Sequence, residues 1–162
     1  MKKIVLQTSI EVFPDLAALA PADRELMDRA RRALQHSHSP YSGFRVGAAL
    51  RLVNGAVLGG SNQENAAYPM CLCAERVVLA AAAVQYPGVA AESMAITAHY
   101  PGKELREPIS PCGACRQVIC EVEQQHGQTM RILLRGDVGE VFVLAQGRDL
   151  LPLGFGGGVL ER

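Results

Sequence analysis

The chain has 162 residues, of which 49% are hydrophobic and 20% are charged. This length and composition fit one globular domain with a sizeable core and exclude a disordered chain. Lys and Arg together number 16, as do Asp and Glu, so the formal net charge is zero. A neutral chain argues against a nucleic acid polymer as partner, because phosphate binding needs a basic excess. We therefore expect a small-molecule substrate.

The first residues predict neither a membrane span nor a secretory signal. No run of about 18 apolar residues occurs, and the short apolar stretch near the start is soon interrupted by polar residues. Five cysteines, an odd number without an export signal, favour a reducing compartment, so we expect a cytoplasmic protein. Apolar and polar residues alternate in an extension over residues 1–20, which predicts an added strand. Its apolar positions are Ile4, Leu6, Ile10 and Val12.

The rest of the chain alternates between helical and strand patterns. Asp23 is expected to cap a first helix running to about residue 35, and the dipeptide Asn54-Gly55 predicts a hairpin. The other predicted helices cover 73–85 and 112–125, and the predicted strands cover 45–53, 56–60, 93–99, 130–134 and 141–145. The Gly-rich tail is expected to lack long regular structure. No repeat or linker divides residues 1–162, so we expect a single α/β domain with a mixed sheet.

Three cysteines at predicted helix starts form a pattern typical of a catalytic zinc site. Cys112 and Cys115 are three residues apart and share one helix face, while Cys73 opens another helix. Zinc takes four ligands, and three protein ligands leave the fourth position for water. Helix starts favour thiolates, because free N–H groups and the positive end of the dipole stabilise negative charge. We predict one Zn²⁺ per subunit on these three cysteines.

Glu75 is the predicted catalytic residue. It lies two residues after Cys73, so both side chains can approach one metal only if that metal sits off the helix end. The carboxylate could then reach the metal-bound water without binding the metal, and move protons. Three such ligands, a non-ligand Glu and Pro-Cys-x-x-Cys form an established pattern of zinc deaminases. We hypothesise that Arg76 donates a hydrogen bond to a ligand sulfur and offsets the excess negative charge.

Other interpretations of these residues stay open at this point. The Cys-x-x-Cys pair could be two core thiols or half of a structural zinc site, and Cys71 could stand in for Cys73. Asn62 and Glu64 could simply shape a turn. A structural zinc module would need a fourth protein ligand, which we do not find. None of the four histidines has ligand spacing with the cysteines, so we expect them at the surface or in loops.

In several separated motifs the chain resembles the cytidine deaminase family, in its small, three-cysteine, homotetrameric type. The motifs are SPYSGFRVGAAL at 39–50, NQENAAYP at 62–69, CAER at 73–76, SPCGACRQV at 110–118 and DLLPLGFGGG at 149–158. The resemblance implies a three-layer α/β/α sandwich with a mixed five-stranded sheet, to which the extension adds a strand. It implies hydrolytic deamination of cytidine and 2′-deoxycytidine to uridine and 2′-deoxyuridine in pyrimidine salvage, with release of ammonia. Zinc hydroxide would attack C4 of the base while Glu75 shuttles protons.

The resemblance also implies which residues contact the nucleoside within one subunit. Asn62 and Glu64 would bind the ribose 3′-hydroxyl, a role that an amide and a carboxylate can fill, because a hydroxyl both donates and accepts. Contacts of this kind ignore the 2′ position, so deoxycytidine should react too. Phe44 would lie against the nucleoside, and Ala74 would meet the base through its backbone.

Further contacts are implied across subunit interfaces. Ala66 and Tyr68 would reach the site of a neighbouring subunit, and Phe155 would stack on a base there. A cysteine as first ligand, Cys73, favours the tetramer over dimeric members that use His. The tail departs from the family, which often has Phe-Gly-Pro where this chain has Phe-Gly-Gly. Blasticidin-type deaminases are rivals, but the NQEN motif favours a plain nucleoside. Polynucleotide deaminases would need a basic groove.

Overall fold

One mixed sheet of six strands forms the centre of the protein. The structure is a computed structural model, and it describes residues 1–157. The strands are β1 (Glu11–Phe13), β2 (Arg45–Leu52), β3 (Val57–Ser61), β4 (Ala91–His99), β5 (Arg131–Arg135) and β6 (Val141–Leu144). Their order across the sheet is β1-β6-β5-β4-β2-β3. Only β4 and β5 pair in parallel, which requires the crossover that the helix between them supplies.

Three helices cover the two faces of the sheet. They are α1 (Pro21–Ala33), α2 (Ala74–Gln85) and α3 (Gly113–His126). The first packs on one face, where Leu26 and Met27 bury against Ala95 and Leu133. The other two pack on the opposite face, over a larger cluster that includes Ile96. This is the three-layer α/β/α arrangement expected from the sequence, with the N-terminal extension adding β1 at the edge of five strands.

Glycines allow the helices to lie close to the sheet. A Cβ at Gly60 of β3 would come within 2.9 Å of the Ala74 carbonyl oxygen and the Val78 backbone nitrogen, so only glycine fits beneath the first turn of α2. The predicted hairpin is also present, since β2 and β3 pair around Gly55, which has a φ of +85°. Because α2 begins directly above β3, its first residues are held close to the sheet.

One local prediction near the start of the chain was wrong. Asp23 does not cap α1: the helix begins at Pro21 after Ala20, without a side-chain cap. Asp23 is instead buried in the first turn and accepts two hydrogen bonds from Arg131, of 2.9 and 3.1 Å. Tertiary pairing therefore overrides its capping preference, and it ties α1 to β5. The strand predicted within the extension is confirmed as β1, Glu11–Phe13, which pairs with β6.

The helix starts that carry the cysteines lie one residue later than predicted. Cys73 and Cys112 are the residues just before α2 and α3, and both have extended backbone dihedrals. Neither start carries a side-chain cap. No helix within residues 1–157 combines the length and the apolar character that a membrane span requires.

Candidate active site and metal centre

Three thiols converge where α2 and α3 begin. The sulfurs of Cys73 and Cys112 lie 3.8 Å apart, and those of Cys112 and Cys115 lie 3.4 Å apart. Tetrahedral zinc with bonds of about 2.3 Å to sulfur requires sulfurs about 3.8 Å apart, so the cluster has the dimensions of a zinc site. All three sulfurs lie within 4.8 Å of one another. Cys71 is outside the cluster, because its sulfur bonds to the backbone of Asn65.

The protonation of the thiols reflects their crowding. A hydrogen bond from Cys115 lowers the pKa of Cys73 to about 6, with a smaller contribution from the charge of Arg76. The same hydrogen bond raises the pKa of Cys115, which is fully buried and also lies near Glu75. Negative charge therefore collects at Cys73, which accepts the hydrogen bond of the protonated Cys115 thiol.

Glu75 lies in the first turn of α2 and is only 3% exposed. Burial raises the pKa of its carboxyl, and a hydrogen bond with Cys115 partly opposes that shift. The side chain therefore lies beside the thiol cluster in a place shielded from bulk water. Arg76 follows it, but no hydrogen bond joins this guanidinium to a sulfur within residues 1–157. Its hydrogen bond to a ligand remains a prediction.

A cleft of about 310 Å³ opens onto this cluster. That volume lies within the usual range for small-molecule sites. Among the residues proposed from the sequence, the cleft brings together Phe44, Asn62, Glu64, Cys73, Glu75 and Cys112. Cys112 is exposed and Cys73 is half-buried, so the metal position can be reached from the cleft. Cys115 lies behind them in the core.

Asn62 is held rigidly in this cleft. Its side-chain oxygen accepts hydrogen bonds from the Ser37 hydroxyl at 2.6 Å and from the Val46 amide at 2.8 Å. Its side-chain amide donates to the Phe44 carbonyl at 2.9 Å. These bonds join the loop after β3 to the start of β2. They leave one amide hydrogen of Asn62 available for a further acceptor.

Glu64 is fixed by the loop before β2. Its carboxylate accepts hydrogen bonds from the backbone N–H groups of Tyr41 and Ser42, at 2.9 and 3.2 Å, and from the Ser42 hydroxyl. The Ser42 hydroxyl bond is the main reason why the pKa of Glu64 lies below its ordinary value of 4.5. Glu64 is therefore an ionised acceptor whose orientation is set before any ligand arrives.

Ala74 is buried as the first residue of α2. A residue at that position has a backbone N–H without an intrahelical acceptor. Ala74 is not among the described residues that line the cleft, but its neighbours Cys73 and Glu75 are, so its contact with the base remains a prediction.

Three predicted contact residues lie away from the cleft of their own chain. Tyr68 is 71% exposed and packs edge-on against Tyr41, with ring centroids 6.3 Å apart. Ala66 is exposed on the same loop. Phe155 is 62% exposed and lies on the tail beside α3. These positions leave their roles in a neighbouring subunit as predictions. The last residue of the tail motif, Gly158, falls outside the described residues.

Residues 21–129 match a family model described as the cytidine and deoxycytidylate deaminase zinc-binding region. The chain belongs to the cytidine deaminase family. A cytidine deaminase from Halalkalibacterium halodurans is 37% identical over 134 residues, which cover 82% of this chain and 94% of that protein. One from Sporosarcina psychrophila is 38% identical over 132 residues, covering 81% and 89%.

Solved structures of cytidine deaminases have the same fold. The crystal structure of the enzyme from Burkholderia pseudomallei superimposes with a TM-score of 0.71 at 39% identity, covering 81% of this chain and 97% of that one. The structure from Mycobacterium tuberculosis superimposes with a TM-score of 0.63 at 31% identity, covering 85% and 98%. Together with the three-thiol cluster, these relationships establish a hydrolytic deaminase with one zinc site per subunit.

Sequence reasoning missed part of the lining of the deaminase cleft. Ile109 and Ser110 reach it from the loop before α3, and Val46 and Ile96 form its floor from β2 and β4. No spacing rule connects these residues, because they come from three separate segments. The Ser-Pro-Cys motif was the one available signal for Ser110, since it places that residue two before a zinc ligand.

Arg116 was also missed as a fixing residue. Its guanidinium donates to the Pro111 carbonyl and to the Leu150 carbonyl, both at 2.9 Å. It therefore connects the segment preceding Cys112 to the segment that follows β6. This arginine directly follows Cys115 in the sequence, but the two hydrogen bonds of its guanidinium go to backbone carbonyls and not to sulfur.

Proposed function

We propose that the protein hydrolyses cytidine and 2′-deoxycytidine to uridine and 2′-deoxyuridine, with release of ammonia, in pyrimidine salvage. The observation that carries the proposal is one cleft lined by Cys73, Glu75 and Cys112 at one side and by Asn62 and Glu64 at the other. A nucleoside has the matching polarity, with a reactive base and a hydroxylated sugar. The bacterial relatives, which are named cytidine deaminases, support the same substrate.

Proton transfer falls to Glu75 in this proposal. Zinc at the three cysteines supplies a polarised water as the nucleophile for C4 of the cytosine ring. Glu75 takes one proton from the attacking water and delivers it to N3, and it then carries the second proton to the departing amine. Its raised pKa suits this role, because the buried carboxyl accepts and releases protons nearer neutral pH.

The polar groups of the cleft orient the nucleoside. Asn62 and Glu64 receive the 3′-hydroxyl, which donates to the carboxylate and accepts from the free amide hydrogen. The N–H of Ala74 meets the base, and Phe44 lies against the nucleoside. Because Asn62 and Glu64 are already fixed by neighbouring groups, they bind substrate without a large ordering cost.

The cleft favours a nucleoside over the nucleotide that the family description also covers. No Lys or Arg is among the residues between 1 and 157 that line it. Glu64 is ionised at the side proposed for the sugar, and its charge would repel a 5′-phosphate. We expect deoxycytidine to be deaminated at least about tenfold more efficiently than deoxycytidylate. The comparison of kcat/KM for the two compounds measures this, and equal values would contradict a nucleoside enzyme.

The proposal extends to assembly and location. A homotetramer would bring Ala66, Tyr68 and Phe155 of one subunit to the site of a neighbour, and all three are exposed in the single chain. The five cysteines are all free, which is consistent with the cytoplasm. Arg76 would offset the charge of the three thiolates. Arg76→Gln should lower zinc retention or turnover, and unchanged values for both would remove that role.

The proposed function is tested most directly at Glu75. Glu75→Gln keeps the shape of the side chain but cannot accept a proton, so turnover of cytidine should fall by at least about 10³-fold. Zinc should stay at one equivalent, because Glu75 is not a ligand. The loss of cytidine absorbance and the metal content are measured on the same sample. Near-normal turnover with full zinc would overturn the assignment.

Addition of a chelator to the wild-type protein separates catalysis from a purely structural zinc. A catalytic metal predicts that cytidine turnover falls with zinc content and returns when zinc is added back. An active, zinc-free protein would contradict the proposal.

A further inference from the structure

The first ten residues, here called the arm, lie outside the part of the chain that matches the family model. That match begins at residue 21. The arm leads into β1, which pairs antiparallel with β6, Glu11 facing Val143 and Phe13 facing Val141. An antiparallel partner runs backwards along its neighbour. The arm therefore passes the end of β6 and continues towards the segment that follows it.

That segment passes through a short helical turn at Gly147–Leu150 and continues as the tail, residues 151–157. The Thr8 hydroxyl donates a hydrogen bond of 3.1 Å to the Asp149 carbonyl, just before the tail begins. Beyond this bond, Leu6 and Gln7 face the tail across a cavity of about 380 Å³. Most of the tail, from Leu151 to Gly156, lines the same cavity. Residues near the start of the chain thus form part of the lining of the cavity beside the tail.

On its other side the tail is held by α3. Gln117 donates to the Phe155 carbonyl at 2.9 Å, and the Gly157 N–H donates to the Gln124 side chain at 3.1 Å. Between these bonds and buried Leu150, the tail bulges outwards. Leu153 at the bulge is 89% exposed and has a φ of +58°, which is unfavourable for a branched side chain.

A bulge of this kind has few contacts to fix it. Its own hydrogen bonds are short-range, from the Leu151 N–H to Arg148 and from the Gly154 N–H to Leu151, at 3.1 Å each. Such bonds close a turn but do not fix the turn in relation to the domain. The arm supplies one long-range hydrogen bond next to this point, from Thr8 to Asp149, and Leu6 lines the cavity that lies between the arm and the tail.

We propose that the arm is a positioning element that fixes the path of the tail and so sets the direction of the Phe155 side chain. The effect on catalysis rests on the proposed function, in which Phe155 reaches the base in a neighbouring subunit. The arm acts through the tail and not on the substrate. Among the arm residues that line the cavity, Leu6 is the apolar one; its side chain is 53% exposed, and it shares the cavity with Leu151 and Leu153 of the tail.

The first experiment measures the tail without any substrate. Leu6→Asp places a charge in the cavity and should loosen the arm from the tail. Amide hydrogen exchange over residues 151–157 should then accelerate by about fivefold or more, whereas the zinc-site helices keep their protection. Ile4→Asp is the matched control, because Ile4 is 73% exposed and does not line the cavity. Equal exchange rates in the two variants would overturn the proposal.

The second experiment links the arm to Phe155 through kinetics. Leu6→Asp should raise the KM for cytidine about three- to tenfold, with kcat within about twofold and zinc content unchanged. In a double-mutant cycle with Phe155→Ala, the two KM effects should not add, because both act through the same ring. Fully additive effects would mean that the arm does not act through Phe155, and would overturn this part of the proposal.

The two experiments fail in distinguishable ways. If cytidine is not a substrate, the exchange measurement still decides whether the arm holds the tail. If cytidine is turned over but the tail exchanges at the same rate in Leu6→Asp and Ile4→Asp, the arm proposal is wrong and the proposed function stands. A chain lacking residues 2–10 retains β1 and provides the largest expected change in tail exchange.

Discussion

The polar groups at the two ends of the cleft differ in whether they already have hydrogen-bond partners elsewhere in the protein. At the metal end, formed by Cys73, Cys112 and Cys115, the thiols crowd one another at helix starts that have no side-chain caps. At the other end, here called the amide end, Asn62 and Glu64 already have protein partners. The metal end therefore depends on a ligand to relieve its charge, whereas the amide end is ordered before a ligand binds.

This difference predicts how each end responds to change. Removing a group from the metal end should abolish metal binding and with it the reaction, because no other residue can take its place. Removing a group from the amide end should weaken substrate binding by a graded amount, because each polar group there contributes a few hydrogen bonds.

Cys115→Ala should eliminate both zinc and turnover. Cys115 is fully buried and its sulfur contacts that of Cys112 at 3.4 Å, so two thiols would remain where zinc requires three. Turnover of cytidine should fall by at least about 10³-fold, and metal analysis should find little zinc. Cys120→Ala is the control, since this half-buried thiol lies on the same helix outside the cluster and should leave zinc content unchanged. Full zinc in Cys115→Ala would break the contrast.

Asn62→Ala should weaken substrate binding without loss of metal. It removes three hydrogen bonds, two to the start of β2 at Phe44 and Val46 and one to Ser37. We expect the KM for cytidine to rise about 10- to 100-fold, which corresponds to about 1–3 kcal/mol, with zinc at one equivalent. The control Asn54→Ala removes a hydrogen bond to Ala56 in the distant hairpin and should leave KM unchanged. A loss of zinc in Asn62→Ala would show that the ends are not independent.

Glu123→Gln tests whether α3 needs its anchor at the far end from the zinc. Glu123 is 3% exposed, and its carboxylate accepts hydrogen bonds of 2.7 to 2.9 Å from three backbone N–H groups. The donors belong to Met130, Gly147 and Arg148. The NH2 group of a glutamine is itself a donor, so it would point at a backbone N–H and leave that N–H without an acceptor. The free energy of unfolding should fall by about 2 kcal/mol in denaturant titration.

The matched control for that change is Glu121→Gln. Glu121 is exposed on the same helix, so its effect on the free energy of unfolding should lie within about 0.5 kcal/mol. Zinc content should be normal in both variants, because the anchored end of α3 is remote from the ligands. Equal stability of the two variants would show that the buried carboxylate is not an anchor.

The smallest expected effect is a pH dependence at Glu64. Its pKa is lower in the folded protein than its ordinary value of 4.5, so ionised Glu64 stabilises the fold. This contribution is fully present above pH 4.5 and is lost as the pH falls through the lowered pKa. Glu64→Gln should therefore reduce the melting temperature at neutral pH and make it less sensitive to acid. The melting temperature of both proteins is measured across the acid range. An equal decrease of the melting temperature with pH in both would contradict this.

Local sequence order determined much of what the protein does. Cys112 and Cys115 must share a helix face because they are three apart, and Asn54-Gly55 specifies a hairpin through the backbone freedom of glycine. Such short-range rules also indicated the starts of α2 and α3 to within one residue. They indicated a zinc site with a carboxylate beside it, because the residues within each of its two motifs are close in sequence and their chemistry is specific.

Only the tertiary structure decided what joins distant segments. It replaced the expected cap at Asp23 with hydrogen bonds from the exposed Arg131, 108 residues away, to the buried Asp23 carboxylate, and it brought Thr8 to Asp149, 141 residues away. It also gave Glu123 its role as an acceptor for three backbone groups. No periodicity predicts these contacts, because they depend on which strands become neighbours in the sheet. Spacing in the sequence determines which side chains share one turn of a helix. Packing of the helices and strands determines which of these turns come into contact.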